Sequence, residues 1–304
     1  MSLFNEICVE TRMSKPDTAY LIETAPKRYK VYQIPKKNGG MRTIAHPARE
    51  LKTLQRALIQ KSPEVLLVHK SATAYERGTS IIGNATRHSA SVWVANFDFS
   101  NFFNSITSVS WRTFLEELKV DQEYIDISER AFFWRPKRSN TDILSVGSPS
   151  SPFVSNRIMH EFDVRISEFA DREGFVYTRY ADDITLSGES KFNLPAIEAK
   201  LGELVPEYLV LDINHVKTRQ AGPGCRKVVT GLVVTDSGSV TLGKKMRKRI
   251  ESYVEKFSRN AHHDISAEQI RGYLSYLKSV EPAAFLKVQK KFSEEAAALF
   301  SDES

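Results

Sequence analysis

The feature that most constrains this chain is a pair of adjacent aspartates, Asp182 and Asp183, at the tip of a predicted β-hairpin. Residues 175–180 are rich in aromatic and β-branched side chains, and an apolar run resumes over residues 184–186, as two strands joined by a turn require. Neighbouring carboxylates repel each other unless a cation lies between them, and their hard oxygen atoms favour Mg²⁺ or Mn²⁺. The alternative is that both aspartates are solvated turn residues, which are common. The pair alone does not decide between a metal site and a solvated turn.

A third carboxylate, Asp98, stands near the end of an apolar segment that spans residues 92–99. Such a segment is typical of a strand that is buried on both faces. The residues from 92 to 186 predict the order strand, helix, strand, strand, so Asp98 can meet the hairpin aspartates if these strands are neighbours in one sheet. Converging carboxylates of this kind serve nucleotidyl transfer by two metal ions. Asp98 could instead cap a helix or be a buried, hydrogen-bonded acid.

The charge balance of the chain suits a polyanionic partner. Its 304 residues include 43 Lys and Arg against 37 Asp and Glu, a formal net charge of +6, and an excess of this sign favours binding to nucleic acid. The length allows two or three packed units, and 41% hydrophobic residues are typical of a globular protein.

Cysteine content and the N-terminal sequence bear on the cellular compartment. Cys8 and Cys225 lie far apart without Cys or His neighbours at ligand spacing, so neither a disulfide framework nor a zinc site is indicated. The first ten residues carry acids instead of a basic and apolar leader, and no apolar run is long enough to span a bilayer. We therefore expect a cytoplasmic protein that is not inserted in a membrane.

The rest of the pattern predicts a chain of mixed helices and strands. Residues 29–45 predict a basic hairpin whose turn contains Lys36 and Lys37, either solvated or in diffuse contact with RNA. Residues 49–60 carry leucines at helical spacing, and a long helix is expected from Pro152. Further predicted elements are strands over residues 209–213 and 228–234, and helices over residues 244–257, 266–280 and 282–300.

Three motifs, in their order and spacing, resemble those of the reverse transcriptase family over most of the chain. They are Asp98-Phe99-Ser100-Asn101-Phe102-Phe103, Gly147-Ser148-Pro149-Ser150-Ser151-Pro152 and Tyr180-Ala181-Asp182-Asp183. The resemblance implies RNA-directed DNA polymerase activity, with Asp98, Asp182 and Asp183 as the catalytic ligands of two Mg²⁺ ions, for which Mn²⁺ is the alternative. It also implies an α+β fold with the right-hand polymerase architecture of fingers, a palm with an antiparallel sheet, and a helical thumb.

The same resemblance divides the chain into three parts. Residues 1–91 are expected to form the N-terminal region and fingers, and residues 92–242 the palm, with part of the fingers inserted at about residues 120–150. Residues 243–304 are expected to form the helical thumb. The change to a purely helical pattern near residue 243 agrees with the last boundary.

Several residues take roles in substrate binding by resemblance. Phe103 falls where the family places a ring under the incoming sugar, and a ring there excludes a 2′-hydroxyl, so deoxynucleoside triphosphates are the expected substrates. Arg42 falls where the fingers contact the triphosphate, and its guanidinium suits phosphate oxygens. Lys217 resembles a catalytic lysine that can protonate the leaving pyrophosphate. The other expected substrate contacts are Phe99, Gly147, Ser148, Pro149 and Tyr180.

Simpler interpretations stay open for two of these residues. Phe103 could be a core phenylalanine, which is what we expect for Phe102, and Lys217 could be an exposed surface lysine.

Two short signatures narrow the resemblance to the retron reverse transcriptases of bacteria. They are Asn84-Ala85-Thr86-Arg87-His88 and Val229-Thr230-Gly231. Alone, His88 would be interpreted as a structural histidine and the tripeptide as an ordinary strand segment. Together they imply an enzyme that reverse transcribes its own structured noncoding RNA (msr-msd), primes from a guanosine 2′-hydroxyl, and makes branched RNA-linked single-stranded DNA (msDNA). Asn84, His88, Val229, Thr230 and Gly231 are then expected to contact the RNA.

The second of the three motifs, which resembles the template-positioning motif of the family, departs from the retron pattern. This chain has Val146-Gly147-Ser148-Pro149, where retron and related enzymes usually have Gln-Gly-Ala-Pro. The glycine and proline that shape the turn are retained, whereas the hydrogen-bonding side chain of the glutamine is lost.

A cluster of cations opens the predicted thumb, and we expect it to contact RNA or DNA. Five cations in six residues cannot all share one face of a helix, so some should meet backbone phosphates and the others should be solvated. The cluster consists of Lys244, Lys245, Arg247, Lys248 and Arg249.

The retron resemblance further implies a role in anti-phage defence together with a separate effector or toxin protein. Three alternatives stay open. One is a non-retron bacterial reverse transcriptase of the group II intron-like or phage-exclusion type, and another is a noncatalytic RNA-binding scaffold. The third is a palm-domain nucleotide cyclase, although the Gly-Gly-acidic hairpin signature of that class is absent from the sequence.

Overall fold

Helices and strands are mixed along the chain in the computed structural model, which describes residues 1–36, 39–259, 265–292 and 296–300. The helices are α1 Leu3–Thr11, α2 Lys15–Thr24, α3 Arg49–Gln60, α4 Ile81–Arg87, α5 Phe102–Ser105, α6 Ser108–Glu117, α7 Gln122–Phe132, α8 Ser150–Ile158, α9 His160–Glu173, α10 Leu194–Leu204, α11 Gly243–Ser258, α12 Ala267–Val280 and α13 Pro282–Lys291. The strands are β1 Tyr29–Pro35, β2 Met41–Pro47, β3 Trp93–Asp98, β4 Val176–Tyr180, β5 Asp183–Gly188, β6 Arg219–Ala221, β7 Lys227–Val229, β8 Leu232–Val234 and β9 Val240–Thr241.

The chain folds into two compact units, each assembled from separate stretches of sequence. The first contains residues 1–78, 96–185 and 192–219, and the second contains residues 79–95, 186–191 and 220–304. The predicted boundaries of fingers, palm and thumb stay predictions. Within the described residues no helix is both long and apolar enough to cross a membrane.

The predicted hairpin and helix near the N-terminus are present in the first unit. Strands β1 and β2 pair antiparallel from Tyr29 opposite Pro47 to Pro35 opposite Met41. The turn residue Lys37 lies outside the described residues. Helix α3 buries Leu51, Leu54 and Leu58 completely, as its apolar spacing requires, and it packs against α1 and α7. Each such leucine contributes about 2 kcal/mol of burial free energy.

A four-stranded sheet carries the three aspartates. Its strand order is β4-β5-β3-β6, so β3 lies beside the β4-β5 hairpin as the sequence predicts. The apolar side chains Val94, Ala95 and Phe97 of β3 are buried, which explains the continuous apolar run. Asp98 is the last residue of β3 and therefore lies at the edge where the hairpin turns.

Some of the sequence predictions differ from the structure in their details. The long helix expected from Pro152 is two helices, α8 and α9, which meet at Met159. Residues 209–213 form no regular strand, because this segment contacts the end of β3 only through an isolated bridge between Ile213 and Phe99. The strand expected over residues 228–234 is the hairpin β7-β8.

The second unit is built from α4, the sheet β7-β8-β9 and helices α11 to α13. The turn between β7 and β8 is the pair Thr230 and Gly231, both at positive φ (47° and 85°), which is the geometry of a two-residue hairpin turn. The predicted helix over residues 282–300 ends at Lys291, and a short 3-10 turn follows at Ala297–Leu299. The core of this unit includes Ala85, Val229, Leu232, Val234, Ile250, Val254, Ile270, Leu274 and Leu277.

Candidate active site

Three carboxylates meet at the end of β3, and the elements that carry them explain why. Asp98 ends β3, Asp182 lies in the turn between β4 and β5, and Asp183 begins β5. One oxygen of each carboxylate lies within 4.8 Å of the others. The Phe99 N–H donates to the Asp182 carbonyl at 3.3 Å, and the Asn214 N–H donates to the Asp98 carbonyl at 2.7 Å. Backbone hydrogen bonds thus hold the cluster together without using the carboxylates.

The hairpin turn that presents the aspartates is strained and is supported from below. Ala181 has a φ of +58°, a conformation that is unfavourable for a residue with a Cβ. The buried guanidinium of Arg179 donates to the Ala181 carbonyl at 3.1 Å and makes a two-pronged ion pair with Asp163, at 2.7 and 2.6 Å. The Tyr177 hydroxyl also donates to Asp163, at 2.6 Å. A buried network therefore fixes the turn.

The electrostatics of the cluster favour a bound cation. Partial loss of hydration, together with the charges of Asp182 and Asp98, raises the pKa of Asp183 to about 6, although the residue stays exposed at the mouth of the site. Burial and the charge of Asp98 also raise the pKa of Asp182. Each shift means that the ionised form is disfavoured in this environment, and a divalent cation among the oxygens would reverse that. The donor set of hard oxygens fits Mg²⁺ or Mn²⁺.

Lys217 lies against this cluster. Its Nζ lies 2.7 Å from Asp98 Oδ2, while the side chain stays 57% exposed. The ammonium therefore reaches the acidic cluster and the solvent-filled space above it, which a role in proton donation requires. Lys217 is exposed, as the simpler interpretation of a surface lysine expects, and it is also paired with Asp98.

A cavity of about 530 Å³ opens above the carboxylates within the first unit. Its acidic floor contains Asp98 and Asp182, and its walls include the cations Lys36, Arg42 and Lys217. This arrangement of carboxylates facing cations suits a triphosphate that carries a metal ion, because both charges of such a ligand find partners. Lys36, which the sequence predicts to be solvated or in diffuse RNA contact, lines this cavity.

The two neighbouring phenylalanines have different environments, as the sequence predicts. Phe102 is buried and stacks on Phe99, with ring centroids 5.8 Å apart, whereas Phe103 is half-buried and lines the cavity. Phe99 itself is 1% exposed and packs edge-on against Phe162. Phe99 is therefore a core residue that also borders the cavity, and its expected substrate contact stays a prediction.

The template-positioning motif borders a second cavity of about 400 Å³, which Phe103 also lines. Gly147 has a φ of +110°, and a Cβ there would lie 3.2 Å from the Ile44 side chain, so a larger residue is disfavoured. The buried Ser148 hydroxyl donates to Gln55 Oε1 at 2.8 Å. Ser148 is an expected substrate contact, but its hydroxyl already takes part in this hydrogen bond. Pro149 lines the cavity.

The remaining expected substrate contact, Tyr180, is half-buried at the end of β4, directly before the strained turn.

The structure places the retron signature residues in the second unit and buries most of them. Asn84 and His88 are 1% and 0% exposed, and Val229 is also buried. Direct RNA contact by these three side chains, which the sequence led us to expect, is not possible in this conformation. Helix α4 packs against the β7-β8 hairpin, whose turn residues Thr230 and Gly231 reach the surface.

Two polar side chains in this packed region are unusual. Burial lowers the pKa of His88 to about 4, so the ring is neutral, and its Nδ1 lies 2.8 Å from the Ser187 hydroxyl. The Asn84 amide is buried, and neither its nitrogen nor its oxygen has a hydrogen-bond partner among the described residues. Such an unsatisfied amide costs about 1–3 kcal/mol.

The basic cluster of α11 divides between two faces of the helix, as expected for five cations in six residues. Three of its members line a groove of about 330 Å³ with Lys287 and Lys291 of α13. Arg249 lies instead on the face toward α12, and Lys245 is exposed and lines neither cavity. The three groove residues are Lys244, Arg247 and Lys248.

Tyr75 is among the cavity residues that the sequence interpretation did not single out. It lines both of the cavities described above, is 52% exposed, and has a φ of +66°. An exposed aromatic residue in a strained loop conformation is a typical feature of a ligand site. The sequence carries no periodic pattern there, and the only available signal was an aromatic residue within a loop.

Comparison with known proteins agrees with this geometry. A sequence profile for the family "Reverse transcriptase (RNA-dependent DNA polymerase)" matches residues 34–237. The retron Ec83 reverse transcriptase of Escherichia coli is 34% identical over 297 residues, which cover 95% of each chain. The retron Ec86 reverse transcriptase of the same species is 32% identical over 92% of this chain and 85% of its own.

A solved structure shows the same fold at low identity. Apo telomerase from Candida tropicalis aligns with a TM-score of 0.53 and 13% identity, over 91% of this chain and 60% of its own. The predicted α+β fold of right-hand polymerase type is confirmed. The chain belongs to the reverse transcriptase family and, within it, to the retron reverse transcriptases, which are RNA-directed DNA polymerases.

Proposed function

We propose that this chain reverse transcribes a cognate structured noncoding RNA (msr-msd), primes from a guanosine 2′-hydroxyl, and makes branched RNA-linked single-stranded DNA (msDNA). The observation that carries the catalytic part is the convergence of Asp98, Asp182 and Asp183 below a cavity with cationic walls. The retron part is supported by the identity to retron enzymes over nearly the whole chain.

We propose that Asp98, Asp182 and Asp183 hold two Mg²⁺ ions. When bound, these ions supply Lewis-acid activation of the priming hydroxyl and neutralise the triphosphate. Arg42 binds triphosphate oxygens from the wall of the cavity, and Lys217 donates a proton to the leaving pyrophosphate.

Substrate choice and template position follow from the other lining residues. Phe103, which lines the cavity, excludes a 2′-hydroxyl on the incoming sugar and so selects deoxynucleoside triphosphates. Gly147 and Pro149 keep the turn beside it open for the template. Tyr180, which directly precedes the turn, supports it on the side where the primer binds.

We assign the fingers to residues 1–91, the palm to residues 92–242, with a fingers insertion at about residues 120–150, and the thumb to residues 243–304. We also propose that the enzyme acts in the cytoplasm, where transcripts and deoxynucleoside triphosphates occur together. There it would serve anti-phage defence with a separate effector or toxin protein. These assignments are supported by the family alone.

The test is to express the chain with its neighbouring genomic DNA and to sequence the nucleic acid that copurifies with it. The proposal expects a branched molecule of RNA and DNA from one locus. Asp182→Asn should abolish DNA synthesis and leave RNA copurification intact, whereas Asp171→Asn, an exposed aspartate of α9, should change neither.

Other outcomes would identify other functions. DNA that is not linked to RNA would identify a non-retron bacterial reverse transcriptase. Bound RNA without any DNA, and without primer extension on a simple template, would identify a noncatalytic RNA-binding scaffold. Undiminished synthesis by Asp182→Asn would overturn the assignment of the metal ligands.

A further inference from the structure

A cavity in the second unit lies between α11 and α12, far along the sequence from the catalytic motifs. Its volume is about 720 Å³, and it is lined by aromatic and polar side chains from both helices. We call it the tyrosine cavity, and its lining residues are Arg249, Tyr253, Lys256, Ile265, Gln269, Gly272, Tyr273 and Tyr276.

The aromatic rings of this cavity are held in place by a cation. The rings of Tyr253 and Tyr273 lie 5.6 Å apart with an interplanar angle of 37°. The Arg249 guanidinium lies 5.3 Å from the first ring centroid and 6.0 Å from the second, and its Nε donates to the Tyr253 hydroxyl at 2.6 Å. Both rings are only half-buried, so the cavity presents ordered aromatic surface to solvent.

Gly272 is an independent sign that something enters this space. It lies inside α12, where a glycine is less favourable than alanine. A Cβ at this position would meet no atom within 4 Å, so packing within the protein does not require a glycine here. A missing side chain at the wall of an aromatic cavity allows a flat ligand to approach the helix backbone.

We propose that the tyrosine cavity binds an unpaired base of single-stranded RNA. The base stacks on Tyr273 or Tyr253, Arg249 and Lys256 contact the adjacent phosphates, and Gln269 can hydrogen bond to the base edge. Bases within a duplex are stacked on each other and offer no free face, so an unpaired nucleotide in a loop or bulge is the expected occupant. The inference rests on the proposed function only in requiring that the chain binds RNA.

The charge around the cavity agrees with this occupant. The neighbouring face of α11 carries Lys244, Arg247 and Lys248 in a separate basic groove, so the same helix can follow an RNA backbone on one side and hold a base on the other. Such a combination of basic surface and stacking rings is typical of single-strand binding.

The test measures binding of the full chain to a short single-stranded RNA containing one 4-thiouridine, and to a duplex of the same sequence. We expect Tyr273→Leu and Gly272→Ala to weaken single-strand binding by ~10-fold and to leave duplex binding within about twofold. Ultraviolet crosslinks of the wild-type chain should map to α11 and α12. Tyr20→Leu is the matched control, because Tyr20 also lies beside an arginine, Arg28, at 5.1 Å but outside the cavity.

Gly272→Ala separates a binding defect from misfolding. Alanine favours the helix, so the thermal midpoint should stay or rise while the RNA affinity falls. Wild-type affinity in both cavity variants, or crosslinks that map only outside α11 and α12, would overturn the inference while leaving the proposed function intact. Absence of any RNA binding by the wild-type chain would overturn both.

Discussion

Single residues at the acidic cluster balance fold stability against metal binding. The pKa of Asp183 is about 6 in the folded protein, whereas the ordinary value of an aspartate is 3.8. The carboxyl therefore binds its proton more tightly in the folded state. Folded stability therefore falls as pH rises from about 4 to about 6, and the loss is complete above that range. Without an ion, the ionised carboxylates repel one another and destabilise the fold, and a bound cation removes this repulsion.

Asp183→Asn tests this balance. Without divalent ions at neutral pH, the variant should unfold at a temperature on the order of 2 °C higher than the wild type, since solvent at the cavity mouth screens part of the repulsion. Added Mg²⁺ should raise the midpoint of the wild type and have little effect on the variant. Differential scanning calorimetry with and without the ion checks both halves. An equal ion-induced rise in the two proteins would contradict the role of Asp183 as a ligand.

Phe103 gives a prediction about sugar selection. Replacing the ring by valine removes the steric block, so incorporation of ribonucleotides relative to deoxynucleotides should rise ~10-fold or more. Single-nucleotide extension on an RNA template with each substrate separately measures the ratio. Deoxynucleotide incorporation within a few-fold of wild type serves as the internal control, and an unchanged ratio would assign Phe103 to packing.

His88 gives a prediction about acid stability. Its pKa is lowered from 6.5 to about 4 by burial, so the neutral ring contributes stability that is complete above pH 6.5 and is lost as the pH falls toward 4. The loss amounts to at most about 3 kcal/mol. In urea unfolding across this range, His88→Gln should flatten the pH dependence of the wild type. A slope that persists in His88→Gln would assign the acid sensitivity to other groups.

The residues of the acidic cluster were easier to predict from the sequence than the residues that surround and support them. Asp98 was detectable because a charge inside an apolar strand is unusual. Tyr75 and Gln55 were not detectable, because a tyrosine in a loop and a glutamine on a helix are both ordinary in sequence. Only the fold brings these two residues to the site. Asn84 and His88 were singled out as RNA contacts, and their burial could not be predicted from spacing alone.

At the scale of elements, the β4-β5 hairpin depends on an ion pair that lies entirely inside the first unit. Arg179 and Asp163 are both fully buried, and removal of one partner leaves an uncompensated charge. Arg179→Met should lower the free energy of unfolding by about 3–5 kcal/mol, as measured by urea titration. It should also lower polymerase activity, because the Ala181 carbonyl loses its donor.

The double variant Arg179→Met/Asp163→Leu removes both charges and should recover most of the lost stability. The matched control is Arg165→Met, which breaks the exposed pair of Arg165 with Glu161 on the same helix as Asp163 and should cost less than about 1 kcal/mol. Equal losses for the buried and exposed pairs would show that the network does not support the hairpin.

Strongly periodic elements were predictable, and elements defined by tertiary contact were not. Helix α3 and the β1-β2 hairpin follow from apolar spacing and turn residues. The break between α8 and α9 at Met159 is not marked by a proline or a glycine, so the sequence pattern does not predict it. Residues 209–213 have strand-like composition, yet they are held to β3 by only a few bonds, such as that from Ser100 N–H to the Asp212 carbonyl.

At the scale of the whole molecule, the net charge of +6 predicted a polyanionic partner but not where that partner binds. The structure resolves part of this question, because three cations of α11 line the groove, Arg249 lines the tyrosine cavity, and Lys245 lines neither. If the groove binds an RNA backbone, removing its lysines should change RNA binding more than removing an equal number of lysines elsewhere.

Lys244→Gln/Lys248→Gln tests that claim against Lys245→Gln/Lys15→Gln, which removes the same charge from exposed positions outside the groove. Each single-strand phosphate that a lysine no longer neutralises reduces the slope of log affinity against log salt by ~0.7. The groove variant should therefore lose about 1.4 from this slope, and the control should lose less than half of that. Fluorescence anisotropy over a salt series measures both slopes. Equal reductions would mean that the chain attracts RNA through its overall charge, since a diffuse field depends on how many charges are removed and not on where they lie.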